Sequence, residues 1–207
     1  MIRTLLTSAV LALSVSTAAS AATTLFEDNF DDETQGTPQP SLDQFTISGS
    51  GTIDVIGTGS YDFYPGNGNY IDLNGTPGAA TITTTDPLGM VVGQTYELSF
   101  DYGVNLGSAY VGGLEELLFG FGDTTYSLLI EGAIDLTHYV VSFVYDGSGD
   151  FLFFADSGVY SPDDYGGPVV DNIQLSAVPL PAAGLLLLGG LGALGALRRR
   201  KTALVAA

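Results

Sequence analysis

The side chains able to do chemistry are few in kind and lopsided in charge. The 207 residues include 23 Asp and Glu, five Lys and Arg, one His and no Cys. Without Cys there is no thiolate nucleophile, no disulfide framework and no Cys-based zinc site. A single histidine, His138, precludes a multi-histidine metal centre. It precedes Tyr139-Val140-Val141, which marks it as an exposed or structural residue at a strand rather than a general base. Glu115-Glu116 is a candidate glycosidase pair, but strand neighbours point to opposite faces and cannot flank one glycosidic bond. Gly57-Thr58-Gly59 and Gly147-Ser148-Gly149 open no helix, so neither cradles a phosphate. Asp146-Gly147-Ser148-Gly149-Asp150 lacks the closing bidentate Glu of a calcium loop and reads as a hairpin turn.

The distribution of charge is more informative than its total. The cations are Arg3, Arg198, Arg199, Arg200 and Lys201, and all 23 carboxylates lie in residues 22–176, which contain no Lys or Arg. No carboxylate there can pair with a Lys or Arg of its own domain. Each must be hydrated, hydrogen-bonded, protonated or bound to a metal, because a bare buried charge costs too much. Any buried carboxylate cluster is therefore a candidate cation site, and Ca²⁺ is the ion that hard oxygen ligands suit. The exposed carboxylates make a solvated acidic surface. Such a polyanion excludes nucleic acid as a partner.

Sugar recognition needs an aromatic face for ring C–H groups and amides or carboxylates for hydroxyls. Tyr61, Phe63, Tyr64, Asn67, Asn69 and Tyr70 are the densest such cluster, and Tyr61, Tyr64, Asn67, Asn69 and Tyr70 are the candidate glycan-binding residues. Tyr160, Asp163, Asp164 and Tyr165 form a second group. The absence of Trp removes the best stacking platform. The competing reading packs these aromatics back onto the body of the fold.

The elements that position these residues are short strands. Residues 95–101 alternate strictly, with Tyr96, Leu98 and Phe100 facing a core and Glu97, Ser99 and Asp101 facing water. Residues 171–176 repeat the pattern. Further strands are expected at 45–48, 53–56, 70–73, 80–84, 114–121, 125–131, 139–145 and 151–155, punctuated by turns such as Pro65-Gly66-Asn67-Gly68. Between the ends no helix of ten residues is expected. The fold class that follows is all-β, a two-sheet antiparallel jelly-roll sandwich.

The ends are of another kind. Residues 1–21 read as a secretory signal: Arg3, an apolar stretch from Leu5 to Val15, and small residues Ala19 and Ala21 at the cleavage site. Residues 22–176 are the acidic domain, and 177–207 carry Val178-Pro179-Leu180-Pro181-Ala182, an apolar helix ending at Leu197, and the Arg198-Arg199-Arg200-Lys201 membrane stop. This tail resembles the PEP-CTERM/VPLPA-CTERM sorting signal of Gram-negative bacteria. The resemblance implies recognition by an exosortase-type membrane protease, an inner-membrane-anchored intermediate, removal of the transmembrane helix, and delivery to the cell surface or extracellular matrix. An ordinary single-pass anchor is the alternative.

A second resemblance rests on Asp28-Asn29-Phe30-Asp31, Thr52-Ile53-Asp54-Val55-Ile56-Gly57, residues 63–75, residues 93–101 and Val170-Asp171-Asn172-Ile173. The series is similar to the galactose-binding-like jelly rolls of carbohydrate-binding modules. It implies that first and last strands lie side by side and share a structural Ca²⁺, with Glu27, Asp28, Asp31 and Asp171 as the candidate ligands. The expected function is that of an exported, non-enzymatic surface or matrix protein associated with extracellular polysaccharide or biofilm. A dedicated lectin-like carbohydrate-binding module is the alternative, and a polysaccharide-active enzyme the second alternative.

Overall fold

The structure, a computed structural model, describes residues 22–59, 61–75, 78–105, 114–132, 135–160, 166–179 and 190–192. Residues 22–178 form one compact unit. The signal segment with Ala19 and Ala21, the sorting-motif residues Leu180, Pro181 and Ala182, and the Arg198–Lys201 stop lie outside the described residues. Among the described residues no helix is long and apolar enough to cross a membrane.

Among the described residues the compact unit is an antiparallel β-sandwich of fourteen strands: β1 (Thr23–Asp28), β2 (Gly36–Gln39), β3 (Phe45–Ser48), β4 (Ile53–Ile56), β5 (Tyr70–Asp72), β6 (Asn74–Gly75), β7 (Gly78–Ala79), β8 (Thr81–Thr84), β9 (Thr95–Val104), β10 (Leu114–Phe121), β11 (Thr124–Glu131), β12 (Thr137–Val144), β13 (Leu152–Asp156) and β14 (Pro168–Ala177). One sheet runs β12-β9-β14-β5-β4-β2, with β1 also on β14; the other runs β11-β10-β13-β8-β3; β6 and β7 make a small ribbon. The expected strands at 45–48, 53–56 and 114–121 have those same limits, and the others shift by a few residues. β2 and the ribbon were not expected, and β1 was implied only by the resemblance. β1 reads TTLFED and β2 reads GTPQ, and neither alternates.

Alternation builds the core. Tyr96, Leu98 and Phe100 of β9 meet Leu117, Phe119 and Phe121 of β10 and Leu152 and Phe154 of β13, all nearly inaccessible. Phe100 is the hub: its ring lies 5.0 Å from Phe119, 5.1 Å from Phe154 and 5.2 Å from Tyr139, in tilted or edge-on contacts. Edge contacts of this kind add to the burial of each ring. Glu115 and Glu116 do point to opposite faces: Glu115 is buried and Glu116 half-buried.

The Asp146–Asp150 segment is a correction. It does not close a hairpin, because β12 and β13 belong to different sheets. It carries the chain across the sandwich instead. Asp146 accepts Ser148 N–H at 2.8 Å, and Asp150 accepts the N–H groups of Gly89 and Met90 at 3.0 Å each. A turn rich in Asp and Gly has the same composition whether the chain reverses or crosses over, and only the packing of the flanking strands decides.

Phe100→Ala is expected to cost about 3–5 kcal/mol, since it deletes the ring shared by both sheets. Urea denaturation followed by far-UV circular dichroism checks this; a loss below about 1 kcal/mol would mean that the two sheets are not held together there.

Candidate functional site

β14 organises the first candidate site. β1 pairs with its second half, Asp28 opposite Ile173 and Thr23 opposite Ala177, while β5 pairs with its first half. First and last strands are therefore neighbours. Between the halves, β14 bulges against β9 from Asp171 to Gln174, and Asn172 takes a left-handed φ of 49°. Such a bulge re-aims side chains. Asp171 is fully buried, and its carboxylate accepts Asn172 N–H at 2.6 Å and Asn172 Nδ2 at 3.2 Å. Burial, then the charges of Asp101, Asp31 and Asp28, push its carboxyl up to about 8.

The other expected ligands are spoken for differently. Glu27 is exposed. Asp28 accepts Phe30 N–H at 2.8 Å, and Asp31 accepts Asn69 N–H and Asn29 Nδ2, each at 2.9 Å. Among the described residues no three acidic or histidine side chains are gathered to hold a metal. Glu27, Asp28, Asp31 and Asp171 are thus brought to one edge but do not form a finished ligand shell. N–H donors take up much of their lone-pair capacity.

Outside this edge lies an open groove of about 590 Å³, lined by Glu27, Asp28, Asp32, Glu33 and Asp43 with the amides of Gln44, Asn172 and Gln174 and with Ser99 and His138. His138 Nδ1 sits 2.7 Å from Asp101 Oδ1, and Asn172 Nδ2 donates to Asp101 Oδ2 at 2.9 Å. Among the described residues no Phe or Tyr lines the groove.

The tyrosine cluster divides between interior and surface. Tyr64, Tyr70 and Asn69 are buried, and Tyr61 and Asn67 are exposed. Tyr64 and Tyr70 form a second small core with Ile56 and Val169, which covers part of the outer face of the larger sheet. Tyr64 Oη donates to Val104 O at 2.6 Å and accepts Val104 N–H at 2.9 Å. A Cβ at Gly103 would strike that hydroxyl, which accounts for the glycine in the middle of β9's end. Tyr70 Oη accepts Phe63 N–H at 2.7 Å. Asn69 ties three loop carbonyls, those of Phe30, Asp31 and Glu33. The phenols are used as buried hydrogen-bonding ends of apolar rings, so their faces are closed to a ligand. Tyr61 remains as an exposed aromatic beside Gln35 and Thr37 in a small hollow of about 220 Å³. Of the second group, Tyr160 is partly exposed, and Asp163, Asp164 and Tyr165 lie outside the described residues.

The face that sequence reasoning missed is the outer side of the five-stranded sheet. Because Phe45, Ile82, Phe154, Phe119 and Tyr126 point inward, their neighbours point out. Register aligns two rungs: Thr46, Thr83, Phe153, Gly120 and Thr125, then Ser48, Thr81, Ala155, Leu118 and Ser127. None of the ten is charged, in a domain with 23 carboxylates. The rungs span roughly 19 Å at a strand spacing of about 4.8 Å. Alternation was visible strand by strand, but the rungs exist only once the pairing order is known.

Two further carboxylates are buried beneath the surface. Asp54 and Asp72 stand opposite each other on β4 and β5. Burial pushes Asp72 up to about 8 and Asp54 up to about 6.

No protein-family profile and no curated protein matches the sequence. The fold does match solved structures. The CBM22-1 xylan-binding domain of Paenibacillus barcinonensis Xyn10C is similar with a TM-score of 0.51 and 16% identity, over 79% of this chain and 100% of that one. The tandem CBM22-1-CBM22-2 domain of the same protein is similar with a TM-score of 0.50 and 16% identity, over 79% of this chain and 48% of that one. The arabinose-bound MgGH51 α-L-arabinofuranosidase follows with a TM-score of 0.50 and 14% identity, over 72% of this chain and 26% of that one. At these identities the likeness shows the fold, a jelly-roll sandwich of the kind that carbohydrate-binding modules use.

The buried acids set a pH dependence. Asp72 and Asp171 are raised in the fold above the ordinary value near 4. Below pH ~4 both folded and unfolded chains hold the protons and nothing is lost. Between ~4 and about 8 the unfolded chain releases protons that the fold keeps, so stability falls as pH rises, by roughly 1.4 kcal/mol per pH unit for each retained proton. In chelator at fixed ionic strength, melting should be highest near pH 4–5 and decline toward pH 8. Asp72→Asn should flatten part of that slope, and an unchanged slope would show that Asp72 is ionised throughout.

Proposed function

We propose that this domain is a non-catalytic polysaccharide-binding β-sandwich carried on an exported protein, and that its sugar-binding surface is the outer face of the five-stranded sheet. The observation that carries the reading is the uncharged double rung. Ten aligned positions without a carboxylate, two of them (Gly120 and Ala155) buried, on a domain of 23 carboxylates and no Lys or Arg, form a patch that a neutral polymer covers without stripping water from a charge. Phe153 gives a central aromatic face for sugar C–H groups, and Thr and Ser hydroxyls lie on three of the five strands, β3, β8 and β11. The polymer class that fits is a neutral, hydroxyl-bearing glycan lying across the strands. The jelly-roll likeness to a xylan-binding domain agrees with this.

A second reading is favoured by the groove. Five carboxylates lining about 590 Å³ without a Lys or Arg suit Ca²⁺ bridges to an anionic matrix polysaccharide. Export rests on the ends: the small-residue cleavage pattern at Ala19 and Ala21, and the tail that begins with Val178-Pro179 one residue after β14. On this reading an exosortase-type protease removes the apolar helix and leaves the domain at the cell surface or in the matrix.

Affinity electrophoresis through neutral and anionic polysaccharide gels separates the two readings. Retardation by a neutral β-glycan should weaken at least tenfold, about 1.4 kcal/mol, in Phe153→Ala with melting unchanged. Retardation only by anionic polymer, and only with Ca²⁺, would transfer the function to the groove. Mass spectrometry of the secreted protein should find a C-terminus within residues 178–182; an intact C-terminus would remove the sorting step.

A further inference from the structure

We propose that Asp54 and Asp72, with Thr52, bind one calcium ion inside the domain, at a place separate from both the groove and the sheet face. The two carboxylates are directly opposed across β4 and β5, 8% and 0% exposed. Asp72 is supported: Oδ1 accepts Asn74 N–H at 2.9 Å and Oδ2 accepts Asn105 Nδ2 at 2.6 Å. Asp54 is not. Its Oδ1 is buried without a hydrogen-bond partner, and so is the Thr52 Oγ1. The two orphaned oxygens converge, because the point where a Cβ on Gly75 would lie is 2.6 Å from Asp54 Oδ1 and 2.9 Å from Thr52 Oγ1. A glycine there leaves them room to approach. Asp156 adds a third negative charge that acts on Asp72, and Asn74 Nδ2 donates to it at 2.9 Å.

Leaving one buried acceptor unsatisfied costs roughly 1–3 kcal/mol, more when it is charged. Two such oxygens face each other beside opposed acids, in a domain without Lys or Arg. A cation resolves all of these at once, and hard oxygens on a two-carboxylate frame select calcium, which accepts main-chain carbonyls and water in its remaining positions. That use of two carboxylates is compatible with the lack of any gathered trio among the described residues.

The test uses the full chain, stripped with chelator and titrated with Ca²⁺ at fixed ionic strength, followed by calorimetry and melting. Saturable binding with a rise in melting temperature is expected. It should be lost in Asp54→Asn, weakened about tenfold in Thr52→Val, and retained in Asp28→Asn. Terbium emission gives an independent readout, because Tyr64 lies close enough to feel the Asp72 charge and can sensitise the ion. Should Asp54→Asn fail to fold, Thr52→Val carries the decision. Absence of saturable binding in the parent chain, or binding unchanged in both Asp54→Asn and Thr52→Val, overturns the proposal. So does binding lost in Asp28→Asn alone, which would move the ion to the groove. Sugar binding through Phe153 is measured separately, so the failure of either proposal leaves the other standing.

Discussion

A domain with 23 carboxylates and no Lys or Arg must find another way to hold its negative charge. It does so with its own backbone. Asp28, Asp62, Asp72, Asp146 and Asp156 each accept the N–H of the residue two positions on. This is the Asx turn, which fixes a loop while spending one carboxylate lone pair. Each such bond is local, so the acids shape turns without needing a distant partner. Other acids make long-range polar ties, such as Asp150 to Gly89 and Met90, Asp31 to Asn69, or Asp156 to Asn74. Where burial outweighs the donors an acid has, at Asp54, Asp72 and Asp171, its proton is held more tightly.

The same constraint explains how surface and interior divide the work. Aromatic rings fill both cores, with Phe100 at the centre of one and the Tyr64–Tyr70 pair, 5.5 Å apart, in the other. Acids crowd the rim of the larger sheet, where the groove lies. The two rungs of the smaller sheet show hydroxyl, methyl and one ring instead. The same body thus carries an acidic rim and an uncharged pair of rungs.

How much could be read from the residues depends on the period involved. The alternation of residues 95–101 and 114–121 located β9 and β10, because half-buried strands carry a two-residue repeat. Residues 36–39 gave no such signal, since an edge strand containing Pro38 has little to alternate. Density of aromatics near 61–70 pointed at a site, yet Tyr64 and Tyr70 turned inward. The residue pattern of a loop that covers a sheet is that of a loop that presents rings to solvent, and the difference lies in Val104 and Gly103, far away in sequence. The placement of Asp28 near Asp171 followed from family resemblance alone. The uncharged rungs and the Asp54–Asp72 pair needed strand order, which no local pattern contains.

The pairing of Thr23 with Ala177 brings both termini of the domain to one end of the sheet. Val178 N–H still donates to Thr95 O at 2.9 Å, so the ladder holds the chain up to the first residue of the Val178-Pro179 linker. A tether attached beyond that point pulls along β14, which is bonded to β9 on one side and to β1 and β5 on the other. Load along the strand axis shears many hydrogen bonds at once rather than peeling them singly. The last strand is thus the mechanical spine of the domain.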